Sequence, residues 1–249
     1  MIGCLCLHGF TGEPWEVEPV AKYLFEKKRW LVYTPTLPGH GPNGRLGDVT
    51  YAHWILAAEI AVKELLDRCE KVYVIGFSMG GMLACHIAAK YPIDKVVLLS
   101  AAAYYWNPSQ LLLELKDVIR LQLRGELQKD EHYQLYRAKI VETPIVAVMQ
   151  FMNAVKAIKP QLKKVKVPTL IVQGEMDGIV PKKSAAYLFE TIASENKSLV
   201  FLKHSKHMIC HDFDQIELIQ TVEHFLDKEF PDRPKSAFPK GAYPNESSQ

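Results

Sequence analysis

The sequence predicts an α/β fold, with a mainly parallel sheet and helices on both of its faces. Short, continuous apolar runs alternate along the chain with longer segments whose apolar residues recur at helical spacing. Continuous apolar runs are typical of strands buried on both faces, and regular alternation with helices is the pattern of parallel strands joined by crossovers. The length of 249 residues and the hydrophobic content of 48% suffice for one domain with a large core.

The elements follow in order from these patterns. Apolar runs that end in turn-forming residues predict strands at 2–7, 30–34, 71–76, 95–99, 168–173 and 198–202. Amphipathic segments predict helices at 13–26, 51–67, 79–91, 182–192 and 214–227. The segment 35–50 is rich in glycine and proline and is predicted to be a surface loop, in which His40 has a structural role.

A candidate nucleophile lies where the third strand meets its helix. The residues Gly76-Phe77-Ser78-Met79-Gly80 follow the apolar run 72–75 directly. A chain that leaves a buried strand and opens a helix at once is strained at the corner, and glycines at 76 and 80 avoid collisions there. The strain lifts the Ser78 hydroxyl clear of the sheet and directs the first helix amides toward it. The G-x-S-x-G pattern alone also occurs by chance in loops, so the strand and helix around it carry the interpretation.

A serine nucleophile requires a base and an acid that orients the base. In this topology the order is serine, acid, histidine, with each residue at the end of a later strand. Asp177 follows the strand 168–173, and His207 follows the strand 198–202, so we expect these two to serve Ser78. Other acids and histidines compete for the two roles, namely Glu175, Asp212, Asp214, His204 and His211. The spacing of His207 and His211 also fits a metal on a helix, but no second carboxylate motif supports one, so no metal is predicted.

The loop after the first strand is the candidate oxyanion site. It reads His8-Gly9-Phe10-Thr11-Gly12. Acyl transfer develops negative charge on the former carbonyl oxygen, which two aligned backbone N–H donors stabilise. We expect one donor from Met79 and the other from Phe10, because the neighbouring glycines allow the loop to curl toward Ser78. The alternative is an ordinary strand-to-helix turn in which His8 is a buried hydrogen-bonding residue.

These motifs together resemble the α/β-hydrolase superfamily, and they are most similar to small bacterial carboxylesterases and their monoacylglycerol lipase relatives. The resemblance extends to about residue 230 and includes a further motif, Leu37-Pro38-Gly39-His40-Gly41. It implies that Ser78 is the nucleophile, His207 the general base and Asp177 its orienting acid. It also implies that Phe10 and Met79 supply the oxyanion donors.

The chain departs from those relatives in two ways. It begins at the strand that leads into the oxyanion loop, so the antiparallel strands that usually precede this strand are expected to be missing or reduced. Lys206 also stands directly before His207, where relatives often have glycine, which leaves the path of that loop open.

The alternation of strands and helices fails between about 103 and 165. Helical apolar stripes in this segment predict a helical cap, inserted after the strand that follows the helix of Ser78. The core is then 1–102 and 166–230, and the Pro-rich segment 231–249 is a tail. Some cap stripes are expected to face the serine across an apolar cleft, while others form the cap's own core. Tyr104, Tyr105 and Trp106 lie at the hinge and are candidate substrate-binding residues.

The composition restricts the kinds of binding partner and the cellular compartment that we expect for this protein. A net charge of +2 with 23% charged residues gives no basic surface for nucleic acid. The N-terminus lacks the basic region of a secretory signal, and no apolar run is long enough to span a bilayer, so we expect no stable membrane insertion. Five cysteines are better explained as small buried thiols in a reducing compartment than as disulfides, which favours the cytoplasm. The oligomeric state is left open.

The sequence therefore predicts a serine esterase that needs no cofactor. An apolar cap favours short- to medium-chain acyl esters or monoacylglycerols as the small-molecule substrate, processed through an acyl-enzyme. An acyl-thioesterase or an acyltransferase with the same triad is the first alternative. A non-catalytic ligand receptor on the same fold is the second. Dehalogenases and epoxide hydrolases fit poorly, because those relatives have an aspartate at the position of Ser78.

Overall fold

A computed structural model describes residues 1–104 and 143–230 of the chain. The six strands in these ranges form one sheet, in which every pairing is parallel. They are β1 (Ile2–Leu7), β2 (Leu31–Tyr33), β3 (Lys71–Phe77), β4 (Lys95–Leu99), β5 (Thr169–Gly174) and β6 (Lys197–Leu202). Their order across the sheet is β2-β1-β3-β4-β5-β6. The predicted fold class, an α/β fold on a mainly parallel sheet, is confirmed.

In the described part of the chain, six α-helices cover this sheet. They are α1 (Glu18–Lys28), α2 (Tyr51–Arg68), α3 (Met79–Lys90), α4 (Ile145–Ile158), α5 (Lys182–Thr191) and α6 (Gln215–Asp227), and shorter 3-10 turns connect some of them. No helix within the described ranges is long and apolar enough to cross a lipid bilayer.

Alternate side chains of the strands supply two separate apolar cores. Leu5 and Leu7 of β1 join the core beneath α2, α3, α4 and α5. Cys4 and Cys6 face the opposite side and pack in the core beneath α1 and α6. Burial on both sides explains why β1, β3, β4 and β5 read as continuous apolar runs, since nearly all of their positions are buried.

The helix predicted at 13–26 is the clearest departure from the expected elements. It is a 3-10 helix, Pro14–Val17, followed by α1, which continues to Lys28. Proline lacks an amide hydrogen and clashes with the preceding turn inside a helix, but it is tolerated in the first turn. Pro19 therefore allows α1 to begin at Glu18 and would disrupt a helix begun further upstream.

The structure describes only part of the predicted cap. Helix α4 and the 3-10 helix Lys159–Lys164 lie within it and pack against α3. Residues 105–142 of the cap, including Tyr105 and Trp106, fall outside the described residues, as does the predicted tail. The division into core, cap and tail therefore stays a prediction.

A buried ionic network joins α2 to α3. The Glu59 carboxylate accepts hydrogen bonds from His86 at 2.7 Å and from Lys90 at 2.6 Å, and the other His86 ring nitrogen lies 2.8 Å from the Gln161 side-chain oxygen. Burial raises the pKa of Glu59, but the hydrogen bonds and the positive charge of its partners outweigh burial and bring the pKa down to about 2. The ionised carboxylate therefore stabilises the folded state.

We predict that Glu59→Gln lowers the free energy of unfolding by about 3 kcal/mol near neutral pH, because it removes the buried negative charge that accepts hydrogen bonds from Lys90 and His86. The folded-state pKa lies below the ordinary value of 4.5, so this contribution is present above pH 4.5 and is lost as the pH falls toward 2. Denaturant titrations at several pH values should show the two proteins converging with acidification. Glu64→Gln, at an exposed position of the same helix, is the control. A gap that stays constant with pH would contradict this assignment.

Candidate active site

The candidate residues come together because parallel strands end at one edge of the sheet. Leu7 at the end of β1 pairs with Gly76 of β3, and Gly174 at the end of β5 pairs with Leu202 of β6. The loops that follow these four strands therefore leave the sheet side by side. They are the segment 8–12, the turn at Ser78, the turn 175–178 and the segment 203–208.

The turn at Ser78 has a strained backbone. Ser78 has φ 52° and ψ −114°, a conformation that L-residues rarely adopt. A Cβ atom at Gly76 would overlap the Gly80 carbonyl, and one at Gly80 would overlap the carbonyl oxygen of Leu7 and crowd that of His8. The two glycines thus permit a sharp corner that is packed directly against the end of β1. The Ser78 N–H donates to Leu99 O at 2.9 Å, which ties the corner to β4 as well.

His207 lies between Ser78 and Asp177. Its Nε2 is 3.1 Å from Ser78 Oγ, and its Nδ1 is 2.8 Å from Asp177 Oδ2. A carboxylate only accepts hydrogen bonds, so Nδ1 carries the proton and Nε2 presents its lone pair to the serine O–H. The side chain of Asp177 is 0% exposed and that of His207 is 7% exposed, so water is largely excluded from both contacts.

Four donors hold the Asp177 carboxylate. Its Oδ1 accepts the backbone N–H of Ile179 at 2.8 Å and of Val180 at 2.9 Å. Its Oδ2 accepts the Gln173 side-chain N–H at 2.7 Å in addition to His207. These bonds satisfy a buried charge and fix the direction in which it faces the imidazole. Gln173 was not predicted as a site residue, although its polar side chain in an apolar strand is a signal in the sequence.

The loops of Asp177 and His207 are bonded to each other. Met176 N–H donates to Ser205 O at 3.0 Å, and a Cβ at Gly174 would overlap the carbonyl groups of Ser205 and Lys206. Backbone therefore packs against backbone here. The loop accommodates Lys206 directly before His207, because the Lys206 carbonyl packs against Gly174 at the end of β5.

Asp212 and Asp214, which competed with Asp177 in the sequence, support the histidine loop from its far side. Asp212 Oδ2 accepts Lys206 N–H at 2.6 Å, and Asp214 Oδ2 accepts His204 N–H at 2.7 Å. Burial raises the pKa of Asp214, but hydrogen bonds from His204 and Ser205 outweigh it and hold the pKa below its ordinary value. Both carboxylates are thus engaged with the chain itself.

The other competing residues lie in separate contacts. Glu175 pairs with Lys182 across 3.4 Å at an exposed position. His211 donates from Nε2 to the Trp15 carbonyl at 2.7 Å, while its ring packs against that of Trp15. None of these contacts reaches Ser78.

The two candidate oxyanion amides belong to the two segments that meet where Gly80 packs against the end of β1. Within residues 1–104 and 143–230, neither the Phe10 N–H nor the Met79 N–H has a protein acceptor. The Phe10 ring stacks on Phe151 of α4 with centroids 5.2 Å apart and packs edge-on against Trp54 of α2 at 5.9 Å. The aromatic contacts anchor the loop beneath α4.

Tyr104 is the one candidate substrate-binding residue among the described residues. Its ring packs edge-on against Tyr187 with centroids 4.8 Å apart, and Lys159 Nζ lies 4.0 Å from its centroid. Burial lowers the pKa of Lys159. The Tyr104 N–H donates to the buried Ser184 hydroxyl at 3.1 Å, which anchors the chain where the predicted cap departs.

The parallel sheet and its wrapping helices are those of an α/β-hydrolase. The chain belongs to the family described as serine aminopeptidase, S33 (Hydrolase_4), whose model matches residues 3–214. It is similar to the thermostable monoacylglycerol lipase of Bacillus sp. (strain H-257), with 29% identity over 91% of each chain. It is also similar to the carboxylesterase of Bacillus subtilis (strain 168), with 23% identity over 90% of this chain and 92% of the relative.

Solved structures agree with this assignment. A structure from the metagenome-derived lipolytic enzymes LipS and LipT matches with a TM-score of 0.75 and 25% identity, covering 92% of this chain and 94% of the other. The monoacylglycerol lipase of Paleococcus ferrophilus matches with a TM-score of 0.68 and 22% identity over 90% and 93%, a likeness of fold. The chain is an esterase- or lipase-like serine hydrolase.

We predict that Gly80→Ala disrupts the corner of Ser78, because the added methyl group would meet the backbone of Leu7 and His8 rather than a movable side chain. The midpoint of thermal unfolding should fall by several degrees, in keeping with a cost of about 3 kcal/mol for overpacking of this kind. Gly47→Ala is the matched control, since a Cβ at that position meets its nearest atom at 3.6 Å. Equal midpoints for the two variants would contradict the packing described for the corner.

Proposed function

We propose that the protein is a serine carboxylic-ester hydrolase for short- to medium-chain acyl esters or monoacylglycerols. In this proposal Ser78 is the nucleophile, His207 the general base and Asp177 its orienting acid, while Phe10 and Met79 supply the oxyanion N–H donors. The observation that carries the proposal is the continuous hydrogen-bonded line from Ser78 Oγ to His207 and on to Asp177, at 3.1 Å and 2.8 Å.

Acylation begins when Ser78 Oγ attacks the ester carbonyl and His207 Nε2 takes its proton. The imidazole becomes positively charged, and the buried carboxylate of Asp177 stabilises that charge without taking the proton. The four hydrogen bonds on Asp177 hold it in place, so little reorganisation accompanies the transfer.

The carbonyl oxygen carries negative charge in the tetrahedral intermediate. The Phe10 and Met79 amides are available to stabilise it, and each such donor typically contributes about 3 kcal/mol to the lowering of the barrier. Collapse of the intermediate breaks the bond to the leaving alcohol, which receives its proton from His207. A water molecule activated by His207 then hydrolyses the acyl-enzyme by the same steps in reverse.

An apolar acyl group fits the surroundings of the oxyanion loop. The loop is bordered by the Phe10 ring and by the Phe151 ring of α4, which belongs to the predicted cap at 103–165. Each buried CH₂ contributes about 0.8 kcal/mol to binding. The monoacylglycerol lipase and carboxylesterase relatives support this substrate class. All five cysteines are buried thiols, which fits the cytoplasm as the proposed compartment.

We predict that Ser78→Ala lowers the kcat for p-nitrophenyl butyrate by a factor of about 10⁴ or more, since the nucleophile is lost. The same variant should no longer react with a fluorophosphonate probe, as read by intact-protein mass spectrometry. Ser198→Ala, at an exposed position of β6, should behave as the wild type. Ordinary turnover by Ser78→Ala would rule out the proposal. A wild type that neither labels nor turns over any ester would favour the ligand-receptor alternative.

A second prediction concerns the acyl group. For p-nitrophenyl esters from acetyl to palmitoyl, kcat/KM should rise by up to about fourfold per added CH₂ through the short chains and then decline once the apolar cleft is filled. Matched thioesters and aminoacyl p-nitroanilides, together with product analysis for acyl transfer to alcohols, test the competing activities. Higher kcat/KM for a thioester or an aminoacyl anilide than for the best ester would overturn the substrate assignment while leaving the triad intact.

A further inference from the structure

A buried carboxylate lies behind the loop that carries the Phe10 amide. Glu16, in the 3-10 helix Pro14–Val17, is 1% exposed. Its Oε2 accepts the Gly9 N–H at 2.7 Å. A buried glutamate is costly unless its oxygens are engaged, and this one accepts a hydrogen bond from the loop.

The loop is shaped around this side chain. A Cβ atom at Gly12 would overlap the Glu16 carboxylate, and one at Gly9 would lie 3.2 Å from Glu16 Oε2. Both glycines therefore leave space that the carboxylate fills. Thr11 between them has φ 65°, which gives the loop its tight curl. The glycine pattern of the loop thus accommodates Glu16 as well as the turn itself.

The two peptide groups that flank Gly9 are both held. Glu16 holds the N–H of the first. The carbonyl oxygen of the second accepts from His8 Nδ1 at 2.9 Å and from Gly12 N–H at 3.3 Å. This second peptide also contains the Phe10 N–H, which points opposite to the carbonyl because the peptide is planar and trans. Fixing the backbone around Gly9 therefore fixes the direction of the Phe10 N–H.

The held glycine is also next to the nucleophile. A Cβ at Gly9 would lie 3.2 Å from the Ser78 Cβ. Glycine has the widest range of backbone conformations, so without external bonds this position could rotate easily. A rotation here would turn the Phe10 amide away from an oxyanion formed at Ser78.

We propose that Glu16 is a positioning residue that orients the Phe10 N–H toward the oxyanion by holding the Gly9 amide. The inference rests on the ester-hydrolase function proposed above. Glu16 itself contacts no substrate and acts through the backbone. Its effect is on the transition state, because the negative charge on the carbonyl oxygen is greatest there.

The test compares Glu16→Ala, Glu16→Asp and Glu16→Gln with Glu18→Gln, a control at an exposed position of α1. The readouts are kcat and KM for a p-nitrophenyl ester, and the affinity for a trifluoromethyl ketone, which forms an oxyanion adduct with serine. Glu16→Ala should lower kcat by about 10- to 100-fold with KM changed by less than about threefold, and ketone affinity should weaken in parallel. Glu16→Gln keeps an acceptor oxygen and should recover kcat to within about fivefold of the wild type.

Glu16→Asp shortens the side chain by one methylene and so moves the carboxylate away from the Gly9 N–H. This variant provides the test if Glu16→Ala does not fold. It should lower kcat and ketone affinity together, and more than Glu16→Gln does. Folded Glu16→Ala or Glu16→Asp with wild-type kcat and ketone affinity would overturn the inference, and so would a loss confined to KM. Failure of the function itself is distinguishable, because the wild type would then show no Ser78-dependent ester hydrolysis at all.

Discussion

The close contact between the first turn of α3 and the end of β1 is the constraint on which the site depends. Gly80 lies against the carbonyl groups of Leu7 and His8, so no side chain fits between the turn at Ser78 and the loop after β1. This contact sets the distance from the Ser78 hydroxyl to the segment 8–12. It also brings the start of α3 and the Phe10 amide to the same end of the sheet. A larger residue at position 80 would separate two loops whose joint geometry the chemistry requires.

Carboxylates fix three of the loops around this contact. Glu16 accepts a backbone N–H in the loop after β1, Asp177 accepts two in the loop after β5, and Asp212 accepts one in the loop after β6. Loops have few apolar contacts to hold them, and a charged acceptor gives a stronger hydrogen bond than a neutral one. A catalytic site needs its donors in place before the charge develops, since reorganisation during the reaction would raise the barrier. Carboxylates that accept backbone hydrogen bonds therefore make these loops rigid, as inter-strand hydrogen bonds do for strands.

The strands and most helices follow from the sequence because burial on both sheet faces makes the inner strands continuous apolar runs. Ser78 is recognisable from its strand–turn–helix context. The roles of acidic residues near the site are much harder to predict from the sequence. Glu13, Glu16 and Glu18 stand in one short segment with nothing local to distinguish them, and only the curl of the preceding loop buries the second of the three. Asp177, Asp212 and Asp214 likewise differ by where their loops are bonded, which depends on contacts between residues distant in the sequence.

The hydrogen bonds of Asp177, Asp212 and Asp214 also help to distinguish between the substrate classes that this family name and these relatives suggest. Its description as a serine aminopeptidase and the esterase and lipase names of the relatives point to different leaving groups, and one triad serves either. An aminopeptidase must also bind the substrate's ammonium group, which requires a carboxylate turned toward the bound substrate. Both oxygens of Asp177, Asp212 and Asp214 accept bonds from the chain itself. These three acids therefore hold protein donors instead of presenting charge to a ligand. With aromatic rings beside the loop after β1, this arrangement agrees with the uncharged, apolar acyl group proposed above.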